Sequence, residues 1–196
     1  MQVYVVFAHP AQDSFCHASL HAFVRGLHES KHESEIADLY RLLFAPALDD
    51  AEFARERRHG VDAPLPADVL AQQDRVRRSD ALALVFPLWW SDVPAILKGW
   101  FDRVWTKGFA YSPSGDTELR RLAPRKALVL CTSGHSVEKL EQDGVVTGLR
   151  AILLGDRLTN VGFQRADLVI LGGLTTADDT QRAALIEAAY RQGRDF

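Results

Sequence analysis

The stretch that decides the fold runs from Ala81 to Tyr111 and reads ALALVFPLWWSDVPAILKGWFDRVWTKGFAY. It opens with an uninterrupted apolar run, Ala81–Phe86, which is typical of a strand buried on both faces. Pro87 has no N–H to donate, so we expect it to end the ladder of the sheet. A helix is predicted to begin near Pro94, because apolar residues then recur with helical period, and to end at Gly108.

Between this strand and this helix lies the segment PLWWSDVP, with adjacent tryptophans at positions 89 and 90. A core strand packed on a core helix explains part of the stretch. Two tryptophans in a loop bracketed by prolines exceed what packing requires. In open α/β sheets, ligands bind where strand C-termini meet the next helix, and aromatic walls suit a planar ligand. The segment therefore favours a ligand site at this end of the strand.

Apolar strands alternate with helical patterns along the rest of the chain. Strands are predicted at residues 3–8, 35–39, 126–132 and 162–171, and helices at 14–30, 50–59, 68–78, 144–155 and 177–194. Near-continuously apolar strands separated by helices predict a doubly wound parallel sheet of the α/β class with helices on both faces. The expected strand order is 2-1-3-4-5, and we expect one domain spanning residues 1–196.

Two more strand ends carry residues suited to a ligand. HPAQDSF, residues 9–15, leads into a helix that Asp13 or Ser14 can cap, which places free N–H groups at a natural anion site. This loop taken alone is equally compatible with an ordinary capped turn. TSGHS, residues 132–136, is small and polar and lets the backbone approach a ligand closely. Neither GxGxxG nor GxxxxGK occurs. Three such loops at one sheet edge are more specific than any one of them.

Composition sets the bounds on function. The chain has 196 residues, 47% of them hydrophobic, with a formal net charge of −3 and a pI of about 6.2, so neither nucleic acid nor an anionic membrane is an expected partner. No run is long enough to span a bilayer, and because the first residues read as a strand, we expect no secretory signal. Cys16 and Cys131 lack zinc spacing and are interpreted as reduced thiols of a cytoplasmic protein. His17 and His21 share a helical face but lack a third ligand, so no metal is expected.

Together these motifs resemble those of the flavodoxin-fold NAD(P)H:quinone oxidoreductases, the DT-diaphorase-like group. That group includes ancillary oxidoreductases of potassium-efflux systems and modulators of drug activity. The resemblance covers nearly the whole chain and rests on AHPAQDSFCHASL, RRSDALALVFPLWWSDVPAILKGWFDRVWTKGFAY and GFQ at Gly162–Gln164. It implies a flavodoxin-like fold, FAD with FMN as the alternative, NAD(P)H as co-substrate, and a homodimer with shared active sites.

The resemblance also implies which residues hold the flavin. Those expected to bind the phosphates are His9, Ser14, Phe15, Cys16 and Ala18. Those expected along the ring are Pro87, Leu88, Trp89 and Trp90, and those expected at its pyrimidine end are Thr132, Ser133, Gly134 and His135. Gln73 is expected near the cofactor. The substrate pocket is expected to include Trp90 and Tyr111, with Tyr111 reaching towards the partner subunit.

The chain departs from the family pattern at several positions. Cys16 replaces an asparagine and removes an amide donor. Leu140 and Val146 stand where some members carry a tyrosine and a histidine, and Pro113 stands in place of a second tyrosine. A positioned donor near the pyrimidine end stabilises the charge that develops there. We therefore expect His135 to act as the catalytic residue that takes over part of this role.

Three functions remain compatible with these features. The favoured one is hydride transfer from NAD(P)H, through the flavin, to a quinone or similar small-molecule acceptor in a two-electron reduction. The alternative is a flavin-binding regulatory or ancillary subunit of a transporter or channel. A one-electron carrier is least favoured, because a net charge of −3 gives little electrostatic steering. We expect the homodimer to use the apolar surface of the helix after Pro94 and the aromatics Phe109 and Tyr111.

Overall fold

The computed structural model describes residues 1–57, 63–112 and 126–196. Within these ranges, five strands form one parallel sheet in the order β2-β1-β3-β4-β5, which confirms the predicted topology. The strands are β1 (Gln2–Phe7), β2 (Glu33–Asp38), β3 (Ala81–Pro87), β4 (Lys126–Thr132) and β5 (Arg165–Leu171). The central strand β3 is buried along its whole length, as its apolar sequence predicts.

Helices cover both faces of the sheet. They are α1 (Phe15–Glu29), α2 (Asp50–Arg57), α3 (Ala67–Arg78), α4 (Ala95–Val104), α5 (Val137–Gln142), α6 (Val145–Leu149) and α7 (Asp179–Arg194). A π-helix (Arg150–Asp156) continues α6, and a 3₁₀ turn (Thr159–Val161) follows it. The α1 and α7 side chains pack on one face, while those of α4 and the 149–163 region pack on the other. Among the described residues, no helix is long and apolar enough to cross a membrane.

The helix α4 ends at Val104, so the prediction that it reaches Gly108 is wrong. The Gln73 amide donates to the Val104 carbonyl and to Thr106 Oγ1, each at 2.9 Å. The first bond adds a side-chain donor to a carbonyl at the helix end, which also accepts the Thr106 N–H at 2.9 Å. Gly108, with φ of 84°, belongs to the turn that follows. A buried side chain from α3 therefore helps set the end of α4.

Three further element bounds differ from the expectations. The predicted helix at 144–155 is the short α6 continued by the π-helix, and α5 before it was not predicted. The strand predicted from Gly162 starts at Arg165, because Gly162 closes the 3₁₀ turn with φ of 119°. The helix predicted at 50–59 is described as far as Arg57, and its last two residues lie outside the described ranges.

Buried charges attach α2 to the rest of the protein. The Arg103 guanidinium donates to Glu52 Oε1 at 2.8 Å and to Asp68 Oδ2 at 2.6 Å. The Arg103 and Glu52 side chains are 5% and 6% exposed. The same guanidinium donates to the Ala45 carbonyl at 2.8 Å. Arg103 of α4 thus contacts the segment before α2, α2 itself and α3.

This cluster should make stability depend on pH. Burial alone would raise the pKa of Asp68, but the hydrogen bond and charge of Arg103 outweigh it and hold the pKa below its usual value. The resulting stabilisation is present above the unfolded carboxyl pKa of about 3.9 and is lost as the pH falls through the lower folded value. We predict that Asp68→Asn flattens the loss of stability below about pH 4. Urea midpoints measured against pH check this, and parallel curves for both proteins would contradict it.

Candidate functional site

Three loops meet at the carboxyl edge of the sheet, and each contacts the other two. The Leu88 N–H, after β3, donates to the Thr132 carbonyl at the end of β4, at 2.8 Å. The Thr132 side chain also lies close to the Cys16 thiol at the start of α1, where it acts to lower the pKa of that thiol. The His9 ring, after β1, lies 5.9 Å from the Trp89 ring, centroid to centroid. The expected convergence of these loops is therefore present in the fold.

The amino end of α1 is prepared for an anion. Ser14 caps the helix, because its Oγ accepts the His17 N–H at 3.1 Å. The first intrahelical bond runs from the Ala18 N–H to the Ser14 carbonyl at 3.0 Å. The N–H groups of Phe15 and Cys16 precede that bond, at the positive end of the helix dipole. These two N–H groups are suited to phosphate oxygens.

The His9 side chain is oriented by its own loop. Its Nδ1 lies 3.0 Å from both the nitrogen and the carbonyl oxygen of Ala11, and these contacts orient the ring. The ring is only partly buried. The loop before α1 thus holds an oriented imidazole beside its anion site.

Both cysteines are buried free thiols. Burial raises the pKa of Cys16 to about 12, although the neighbouring Thr132 side chain acts in the opposite direction. Burial likewise raises the pKa of Cys131, and the neighbouring Cys16 adds to that effect. A neutral buried thiol is a poor nucleophile. Cys16 therefore contributes to the packing of α1 on the sheet.

The double tryptophan sits in a strained turn. Trp89 and Asp92 exchange two backbone hydrogen bonds of 3.0 and 3.2 Å, and the residues between them have positive φ, 52° at Trp90 and 63° at Ser91. This is the pattern of a type I′ turn, which Asn and Gly usually form. A left-handed conformation costs about 1–2 kcal/mol for each L-residue. The strained turn leaves the Trp90 side chain 100% exposed.

The loop after β4 is held by the segment after β5. The carbonyls of Ser133, Gly134 and His135 accept N–H groups of residues 174, 175 and 173, at 3.1, 3.2 and 2.8 Å respectively. A Cβ at Gly134 would lie 2.7 Å from Thr175 Oγ1, so the close approach requires glycine. The sequence did not point to residues 173–175, because no motif marks them. The backbone that carries the His135 side chain is therefore held in place by these hydrogen bonds.

Few polar groups of this loop face outward. Ser133 and Thr132 are buried, and the Ser133 Oγ accepts the His135 N–H at 3.1 Å. Leu140 and Val146 are 3% and 7% exposed, so both pack inward and neither can donate a hydrogen bond. The His135 side chain is exposed. Among the site residues predicted in this loop, His135 is thus the one whose side chain is accessible to a ligand.

Two predicted residues do not join the three loops. Gln73 is 1% exposed and contacts the end of α4, and its expected role in cofactor binding stays a prediction. Tyr111 donates to Glu56 Oε2 at 2.5 Å, a carboxylate that also accepts the Lys107 N–H at 2.9 Å. Nothing in the sequence pairs Glu56 with a tyrosine 55 residues away. Pro113 lies outside the described residues.

The described ranges contain no cluster of three side chains able to hold a metal. His17 and His21 do lie together, with ring centroids 4.4 Å apart in an edge-on arrangement. Burial of His17 and the proximity of His21 lower its pKa. We therefore interpret His17 and His21 as two contacting side chains on the surface of α1.

Comparisons with known proteins agree with this geometry. A family model for the flavodoxin-like fold matches residues 1–193. The structure of an NAD(P)H:quinone oxidoreductase from Methanothermobacter marburgensis is similar with a TM-score of 0.93 and 46% identity, covering 100% of this chain and 96% of that one.

Two curated relatives extend the comparison. An uncharacterized NAD(P)H oxidoreductase of Haemophilus influenzae is 30% identical over 189 residues, which cover 96% of this chain and 92% of that protein. NAD(P)H dehydrogenase [quinone] 1 of Cavia porcellus is 30% identical over 162 residues, or 76% of this chain and 59% of that protein. The chain therefore belongs to the flavodoxin-fold NAD(P)H:quinone oxidoreductase family and is an oxidoreductase.

Proposed function

We propose that the protein is an NAD(P)H-dependent flavoprotein that reduces a quinone or similar electrophilic acceptor by two electrons. The observation that carries this proposal is the mutual contact of the three loops at one sheet edge, through Leu88, Thr132, Cys16 and the His9–Trp89 ring contact. The edge combines an anion site with aromatic side chains. A flavin nucleotide needs both.

The residues present fit such a cofactor. The N–H groups of Phe15 and Cys16 suit the phosphates, and the His9 ring lies in the loop that precedes them. Trp89 and Trp90 offer flat surface beside β3. When bound, the flavin supplies the redox chemistry, accepting a hydride from NAD(P)H and passing two electrons to the acceptor. The protein binds and orients the ring, and His135 provides a donor at the edge formed by residues 132–135.

We further propose FAD rather than FMN, a homodimer, a single domain and a cytoplasmic location. Support for the dimer differs from what we expected. Phe109 is 7% exposed and packs against Trp105, so it offers no open apolar surface. Leu43, Phe53 and Trp90 are instead 86%, 55% and 100% exposed. Such side chains are suited to contact with a second copy.

Spectroscopy of the purified protein tests the proposal. We expect a bound flavin whose absorbance is bleached by NADH or NADPH and restored by menadione, a quinone probe. Mass spectrometry of the released cofactor should give one FAD per chain. Absence of flavin after reconstitution would show that the proposal is wrong. Bound flavin without turnover would favour a regulatory subunit, and a stable one-electron form would favour a carrier.

A further inference from the structure

An ion pair connects the turn that carries Trp90 to the end of the π-helix. Asp92 closes this turn, because it exchanges backbone hydrogen bonds of 3.0 and 3.2 Å with Trp89. The Oδ1 atom of Asp92 lies 3.8 Å from Arg157 Nη1. The two charged residues are distant in sequence and meet only in the folded chain. The double-tryptophan turn is thus linked through one carboxylate to a separate element.

Arg157 is held in place without the help of Asp92. Its side chain is 12% exposed, and its N–H donates to the Ile152 carbonyl at 3.0 Å, which closes the π-helical turn. Its carbonyl accepts the Trp105 Nε1–H at 2.7 Å, and its guanidinium lies 5.2 Å from the Phe101 ring centroid. Contacts with the α4 region and with the π-helix therefore fix the position of the guanidinium.

The buried guanidinium requires a negative partner. Within the residues that the structure describes, Arg157 Nη1 is the one buried side-chain nitrogen or oxygen that lacks a hydrogen bond. The ion-pair partner that it has in those same ranges is Asp92. Pairs between two solvated side chains contribute little, but a buried charge without compensation is costly. Burial of Arg157 therefore favours conformations of the turn that keep the Asp92 carboxylate beside it.

The turn is of a kind that needs support from its surroundings. Trp90 and Ser91 both have positive φ, 52° and 63°, which residues of these types rarely adopt. Such strain persists only where neighbouring contacts hold the backbone. Asp92 supplies one of them, since its Oδ1 also accepts the Val93 N–H at 2.7 Å. One carboxylate oxygen thus links the backbone after the strained turn to the fixed guanidinium.

The orientation of the Trp90 ring depends on this backbone. The Trp90 side chain is 100% exposed, so packing against the protein does not determine where the ring lies. Its position follows from the turn, which stands at the carboxyl edge of the sheet beside the loops that suit the flavin. A flat acceptor at this edge needs an aromatic surface in a defined place. A contact that fixes the turn therefore also fixes that surface.

We infer that Arg157 is a positioning residue, which acts through Asp92 to hold the turn at residues 89–92 and with it the Trp90 ring that receives the acceptor. The inference rests on the proposed function, because it takes Trp90 as part of the acceptor site. Arg157 and Asp92 act on the acceptor only through the turn. Loss of the pair should therefore weaken binding of the acceptor more than it slows the chemical step.

Fluorine NMR on protein labelled with 5-fluorotryptophan provides the first test and requires neither flavin nor turnover. The Trp90 resonance is assigned by its absence in Trp90→Phe. Arg157→Gln and Asp92→Asn should both change its shift or linewidth, because each frees the turn. Lys98→Gln is the control, since Lys98 is an exposed α4 residue paired with Asp102 at 2.5 and 2.7 Å, and it should leave this resonance unchanged. Thermal melting shows whether each variant is folded.

Steady-state kinetics with menadione as the acceptor provides the second test. Arg157→Gln and Asp92→Asn should each raise the KM for menadione by about fivefold or more and change kcat by less than about twofold. Arg157→Lys, which keeps the charge, should recover part of the affinity. The double variant Asp92→Asn/Arg157→Gln should be no worse than either single variant, because both residues act through one pair. Lys98→Gln should retain the wild-type KM.

Three results would overturn the inference. The first is a wild-type Trp90 resonance in both folded single variants. The second is an unchanged KM for menadione in variants whose Trp90 resonance has moved. The third is additive increases in KM in the double variant, which would show that the two residues act separately. Failure of the proposed function would look different: the wild-type protein would bind no flavin and reduce no menadione, while the Trp90 resonance would still respond to both variants.

Discussion

Replacing His135 with alanine should slow the bleaching of the bound flavin by NAD(P)H by about 10²-fold, which is the lower end of what a positioned donor contributes. The reason lies in the surroundings of the imidazole. The hydroxyl-bearing residues Thr132 and Ser133 are buried, and the His135 N–H is bonded to the Ser133 Oγ. Leu140 and Val146 can donate nothing. The exposed imidazole is thus the group that can stabilise charge developing at this edge of the ring.

Stopped-flow absorbance under pseudo-first-order NAD(P)H measures this rate. Flavin occupancy is determined for each protein, so that weaker binding is not mistaken for slower reduction. His28→Ala is a suitable control, because His28 is exposed in the last turn of α1 and bonds the Ser34 Oγ at 3.0 Å. His135→Gln, which keeps a donor, should retain part of the rate. Equal rates for His135→Ala and wild type at equal occupancy would show that His135 is only a loop residue.

Replacing Arg103 with leucine should lower the free energy of unfolding by about 3–5 kcal/mol, the usual cost of breaking a buried ion pair from one side. The change leaves the Glu52 carboxylate, in a side chain 6% exposed, without its guanidinium. It also removes a donor from Asp68 and from the Ala45 carbonyl. Urea denaturation followed by circular dichroism measures the loss.

Two further variants distinguish a buried pair from a general charge effect. Lys139→Gln removes an exposed partner of Asp143 on α5 and should cost less than about 0.5 kcal/mol. Adding Glu52→Leu to Arg103→Leu removes the isolated carboxylate and should recover part of the stability. If Arg103→Leu costs no more than Lys139→Gln, the cluster does not hold α2 to the protein.

The order of the sheet was predictable because parallel strands are buried on both faces and therefore appear as apolar runs. β3 and β4 show this most clearly, and every residue of β3 is buried. The bounds of α4 and β5 were less predictable. Gln73 caps α4 from another helix, and Gly162 adopts φ of 119° in a turn before β5. Both effects depend on residues distant in sequence or on a local conformation without a unique sequence pattern.

The run Glu56–Arg58 illustrates the same limit. Its charges predict a solvated surface, and Arg58 lies outside the described residues. Glu56, however, accepts hydrogen bonds from the Tyr111 hydroxyl and the Lys107 N–H. Composition cannot indicate which carboxylate will face a phenol across the fold. The pairing exists because α2 is attached to α4 by the neighbouring Arg103 cluster.

The sequence by itself determined the sheet order, the three loops at its carboxyl edge and the family, because these depend on local periodicity and on contiguous motifs. Only the tertiary structure decided which side chains at that edge of the sheet remain accessible to a ligand. It buried Ser133, Leu140 and Val146 and left His135 and Trp90 exposed. Burial and hydrogen-bond satisfaction are properties of the packed chain, since each depends on atoms that distant segments bring together.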